Sequence, residues 1–101
     1  GGVLGVVQHM GPETHSDDWA SGANGYLKLS FVIDTIQAAG FVLEASSSVN
    51  LNPKDQPSED EYVWRLQPTL EPAESEAVMR SYKAIGESNR MTLRFRKPMA
   101  R

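Results

Sequence analysis

Two histidines, His9 and His15, stand six residues apart with Asp17 and Asp18 close behind, and imidazole and carboxylate are the groups that bind zinc or move protons. That spacing fits no zinc template and falls in a stretch of turn-forming residues, so no metal is expected there. The glycines of "GANG", residues 22–25, lack both the spacing and the preceding strand of a dinucleotide-binding loop. Ser46, Ser47 and Ser48 lack the glycine-framed strand-to-helix turn that exposes a nucleophilic serine. The chain has no cysteine, which removes thiolate chemistry and disulfides. Residue types and spacing alone therefore assemble no catalytic set.

The elements that would position these residues read as an α/β unit. Residues 3–7 are apolar in succession rather than alternating, as in a strand covered on both faces. Residues 10–27 hold clustered Gly, Pro, Asn, Ser and Asp without a sustained period and read as a loop. Ser30 suits the N-cap of a helix over residues 31–39, where Val32, Ile33, Ile36 and Ala39 make one apolar face. Gly40 follows where a left-handed residue is wanted, and "FVLEASSSV" reads as a second strand. Residues 50–89 form a long insertion between the last two strands. Within it, "EYVWRLQP" reads as extended, with Trp64 docking on the body. A short helix then begins at Pro72, with Glu74 and Glu76 in its first turn, Val78, Tyr82 and Ile85 as its apolar spacing, and Gly86 at its end. Glu76 and Arg80 can pair along it.

The bulk composition fits a single domain over residues 1–101. Of these residues 40% are hydrophobic and 23% charged, and no apolar stretch is long enough to cross a bilayer, so no membrane partner is expected. The net charge of −3 is unevenly placed: from Arg90 onward there are five cations and no acid, which leaves −8 on residues 1–89. Clustered cations suit nucleic acid. Met91, Leu93 and Phe95, however, alternate with Arg90, Thr92, Arg94 and Arg96, the period of a strand with one solvated face.

Several segments resemble a known superfamily. "GGVLGVVQH" resembles the fifth sheet strand of class I S-adenosylmethionine-dependent methyltransferases, and "FVIDTIQAAGFVLEASS" resembles the helix and sixth strand that follow it. "NGYLK", "NPKDQP", "VWRLQPTL" and "AIGESNRMTLRFRKP" are similar to the tail of a family of predicted bacterial methyltransferases. The resemblance implies an α/β fold that is a partial Rossmann-like methyltransferase sheet: strand, helix, strand, insertion with a helix, and an antiparallel last strand between the other two. It implies that the cofactor, S-adenosylmethionine, is bound by residues upstream of Gly1, so this chain is expected to hold no cofactor residue and to be inactive alone. His9, at the carboxyl end of its strand where open α/β sheets receive ligands, becomes the candidate catalytic residue, as a general base with a pKa near neutrality. Tyr26 and Lys28 become candidates for contacting the substrate.

Two functions follow as expectations. The first is the C-terminal portion of a methyltransferase with an unknown acceptor. The alternative is a binding or assembly module, with nucleic acid on the arginine face. An unpaired apolar edge and a bare sheet face further suggest a homodimer through residues 3–9 or that face.

Overall fold

The computed structural model describes residues 1–70 and 75–99. In chain order these form strands β1 (Val3–Gly11) and β2 (Leu27–Lys28), helix α1 (Leu29–Ala38), strand β3 (Val42–Ser47), helix α2 (Glu76–Ile85) and strand β4 (Arg90–Arg96). The four strands make one mixed sheet in the order β2-β1-β4-β3. β4 runs antiparallel to both β1 and β3, so the last strand lies between them as expected. Its alternation explains the position: Met91, Leu93 and Phe95 are buried, and Val32 of α1 packs on them with Val6, Met10, Ile36 and Leu43 around. Each such side chain contributes about 1.5–3 kcal/mol on burial.

Helix α1 covers one face of the sheet only. Register places Val3, Gly5, Val7 and His9 of β1 on the opposite face, against Arg96, Arg94, Thr92 and Arg90 of β4. On that face Val3 is 54%, Val7 57% and Val42 53% exposed. The continuous apolar run of β1 is thus not covered on both sides. Among the described residues its outer edge is paired only at Met10 and Gly11, by the short parallel strand β2.

Local chemistry departs from the sequence expectation at several places. The loop expected over residues 10–27 is entered by β1 and closed by β2. Helix α1 starts one residue before Ser30, with Lys28 at its N-cap and no cap from that side chain. The cap comes instead from Glu13, whose carboxylate accepts from the Ser30 N–H at 3.1 Å and the Ser30 hydroxyl at 2.6 Å. Those bonds hold the Glu13 carboxyl below the usual carboxylate range. At the other end Gly40 has φ +95°, as anticipated, and Lys97 Nζ donates to the Ala39 carbonyl at 2.9 Å.

The insertion also differs. Residues 63–65 form a 3₁₀ turn rather than an extended segment. With three residues per turn, such a turn spreads successive side chains around its axis; Val63 and Arg65 are buried, while Trp64 is 41% exposed. Trp64 is therefore not the docking residue. Helix α2 is capped by Ser75, whose hydroxyl accepts from the Val78 N–H. The helix start expected at Pro72 and Glu74 lies outside the described residues. Glu76 and Arg80 do approach, at 3.9 Å, but both are largely exposed, so the pair contributes little.

Candidate functional site

The carboxyl end of β1 is where loop 12–26 and segment 50–68 close over the sheet, and two glycines make the closure possible. At Gly11 a Cβ would lie 2.8 Å from the Trp19 ring and 3.1 Å from Tyr26 Cβ. At Gly25, where φ is +85°, it would lie 2.1 Å from Val63 Cγ1. With neither Cβ present, Trp19, Ala20, Tyr26 and Val63 form a second small core, in which the Trp19 and Tyr26 rings stack at 5.2 Å. The Val63 N–H donates to the Asn24 carbonyl at 2.9 Å and seals the seam.

Beneath this closure lies a buried polar network that the sequence did not single out. The side chain of Asp55 has no exposure and that of Arg65 has 4%. Asp55 accepts from the Tyr26 hydroxyl at 2.7 Å, the Asn89 N–H at 2.9 Å and Arg65 Nη2 at 2.9 Å. Arg65 Nη1 also donates to the Tyr26 oxygen at 3.0 Å and the Tyr62 carbonyl at 3.1 Å. Burial pushes the Tyr26 phenol well above its ordinary value. The network ties "NGYLK", "NPKDQP", "VWRLQP" and "ESNR" into one unit.

The sequence-derived candidates separate into two places. Tyr26 is fully buried with its hydroxyl engaged, and its ring meets His9 edge-on at 6.3 Å. Lys28 pairs with Asp17 at 2.8 Å and lines a different cleft of about 460 Å³ with Ser21, Phe31 and Asp34. His9 and Tyr26 are thus brought together, and Lys28 is not with them. His15 Nε2–H donates to the Pro57 carbonyl at 2.6 Å, and the ring packs on Trp19. Among the described residues no group of three His, Cys, Asp or Glu could hold a metal.

His9 makes a short hydrogen bond through Nδ1 to the Ser88 hydroxyl. Ser88 is buried, and among the described residues its hydroxyl has no second partner. Its proton therefore goes to His9 Nδ1, which leaves the neutral imidazole with its hydrogen on Nε2. The other tautomer would strand a buried hydroxyl proton, at about 1–3 kcal/mol. Burial lowers the His9 pKa, Arg90 lowers it further, and Asp55 partly opposes them. These shifts favour the uncharged imidazole. In the Nε2–H tautomer the remaining ring nitrogen offers a donor, whereas a general base offers a free lone pair.

A cleft of about 310 Å³ opens between Gly11, Glu13, Leu29, Asp55 and Asn89. It adjoins, through Met10 and Leu29, a smaller one of about 140 Å³ lined by Ser46, Leu51 and Leu93. Together they form an amphipathic groove at the carboxyl ends of β1 and β3, the place where open α/β sheets receive ligands.

On the bare sheet face the arginines are not a uniform cationic strip. Glu44 accepts from both Arg94 and Arg96, which among the described residues leaves Arg90 with only Glu87 at 3.9 Å. The missed residues had weak signals. Asp55 lies next to Lys54 and between Pro53 and Pro57, which reads as a solvated turn, and Ser88 carries no pattern at all. No family model, curated protein or solved structure matches this chain.

Proposed function

We propose that the chain is the C-terminal portion of an S-adenosylmethionine-dependent methyltransferase, supplying one sheet edge and part of the acceptor side. The observation that carries this reading is the strand order: two parallel strands joined by a helix, with a reversed last strand inserted between them. It is the arrangement that the resemblance of the sequence leads one to expect. The groove at the carboxyl ends of β1 and β3 supports an acceptor on that side.

The described residues do not fit the cofactor. None forms a glycine-rich loop between a strand and a helix, and the N-terminus of α1 is taken by the carboxylate of Glu13. S-adenosylmethionine would supply the methyl group from residues outside this chain. What this chain contributes is positioning of the acceptor, on which the rate of such a transfer chiefly depends. Reading the coding sequence upstream of Gly1 tests the proposal: an in-frame strand with a glycine-rich loop supports it, and an initiator codon directly before Gly1 favours an independent binding module.

The isolated chain is expected to dimerise. The edge of β1 from Val3 to Val7 carries no charge or proline, and Val3, Val7 and Val42 stand exposed on the bare face. Two copies related by a two-fold axis would cover both, with on the order of 1,600 Å² buried in total. Light scattering at micromolar concentration checks this. A stable monomer would contradict it.

A further inference from the structure

The cation that stands apart on the bare sheet face is Arg90. Arg94 and Arg96 share the carboxylate of Glu44, whereas the nearest carboxylate to Arg90, on Glu87, is 3.9 Å away. The Arg90 Nε is buried and has no hydrogen-bond partner among the described residues, and the side chain is 30% exposed. Directly across the strand pair is His9. Ser88 fills its Nδ1, so its Nε2 carries a hydrogen and has no acceptor among the described residues. Two neighbouring donors, one of them charged, therefore lack an acceptor.

Among the described residues the protein's own acids do not supply one. Asp55 is locked by Tyr26, Arg65 and Asn89. Glu87 is 60% exposed and stays at ion-pair rather than hydrogen-bond distance. We propose that His9 and Arg90 together bind an oxyanion, the carboxylate or phosphate group of a ligand, at the carboxyl end of β1. Arg90 supplies the charge and a planar set of donors suited to such groups, and His9 Nε2–H supplies a second direction.

Binding is linked to protonation. The groups around His9 are Arg90 with Glu87 beside it, Asp55 with its partner Arg65, the Ser88 hydroxyl and the Tyr26 ring. Arg90 disfavours the imidazolium, and an oxyanion between the two would offset that charge. The anion therefore binds more tightly as the pH falls through the His9 pKa, and it raises that pKa in return. If the acceptor of the proposed methyl transfer carries such a group, this pair orients it. That link rests on the methyltransferase reading; the anion site does not.

The test is an NMR titration of His9 in the whole chain with inorganic phosphate, with acetate, and with chloride at matched ionic strength. Saturating phosphate or acetate is expected to raise the His9 pKa by about one unit, a tenfold preference for the protonated form. A response to phosphate alone assigns a phosphoryl ligand, and a response to acetate assigns a carboxylate. Arg90→Gln is expected to abolish the shift and Arg94→Gln to leave it unchanged. Identical titration in all three salts would overturn the proposal on the unaltered chain, whatever the variants do. Because no cofactor is used, that outcome would leave the methyltransferase reading standing, and absence of methyl transfer would leave the anion site standing.

Discussion

Asp55→Ala is expected to cost the fold on the order of 3–5 kcal/mol, the scale for removing one partner of a buried ion pair. The reason is what stays behind. Arg65, with 4% of its side chain exposed, would keep its charge without its principal partner, and the Tyr26 hydroxyl and Asn89 N–H would lose their acceptor. A domain of this size has about 5–15 kcal/mol in total, so the loss is at least about a fifth of it. Tyr26→Phe removes two hydrogen bonds, to Asp55 and from Arg65, while both charges stay paired, and is expected to cost about 1–3 kcal/mol. Replacing Asp55 and Arg65 together by apolar residues of similar size is expected to be milder than Asp55→Ala, because the one charge that loses a partner, on Glu61, is 26% exposed rather than buried. Urea denaturation followed by circular dichroism measures all three. An Asp55→Ala variant within about 1 kcal/mol of the parent would mean that the network does not hold the closure together.

Gly25→Ala is the second large effect. Alanine at φ +85° costs about 1–2 kcal/mol in backbone strain, and its Cβ would lie 2.1 Å from Val63 Cγ1, an overlap that forces Val63 out at a further 1–3 kcal/mol or so. Gly22 is the internal control. It has φ +100°, but a Cβ there meets only Leu27 Cδ2, at 3.8 Å. Gly22→Ala is thus expected to show the backbone cost alone, and the difference between the two variants measures how tightly loop and insertion are pressed together. Equal losses would mean that Val63 gives way freely.

The sheet was legible in the sequence because its signals are periodic. Alternation in residues 90–96 reports burial directly, as do Val32, Ile33 and Ile36 of the helix face, though Ala39 is exposed at the C-cap, and Gly40 marks the helix end through its conformational freedom. The closure was not legible, because its partners are far apart in the chain. Asp55 meets Tyr26 across 29 residues, and Ser88 meets His9 across 79. No local pattern distinguishes a buried Asp55 from a solvated one. The same distance explains the helix cap: Ser30 has the right residue type, but Glu13, brought over from the preceding loop, takes its N–H and moves the helix start. His9 was placed correctly at the strand end, while its chemistry depended on Ser88, which fixes the hydrogen on Nε2.

The central claim, that this chain is the acceptor side of a methyltransferase whose cofactor half lies elsewhere, is tested most directly by calorimetric titration of S-adenosylmethionine. The measurement compares the 101-residue chain with the same chain extended through the coding sequence upstream of it. The account predicts that the extended protein binds with a dissociation constant of about 10 μM or tighter, worth roughly 7 kcal/mol, and that the chain alone does not reach that affinity. Binding of that strength by the chain alone, or none by the extended protein, would contradict it.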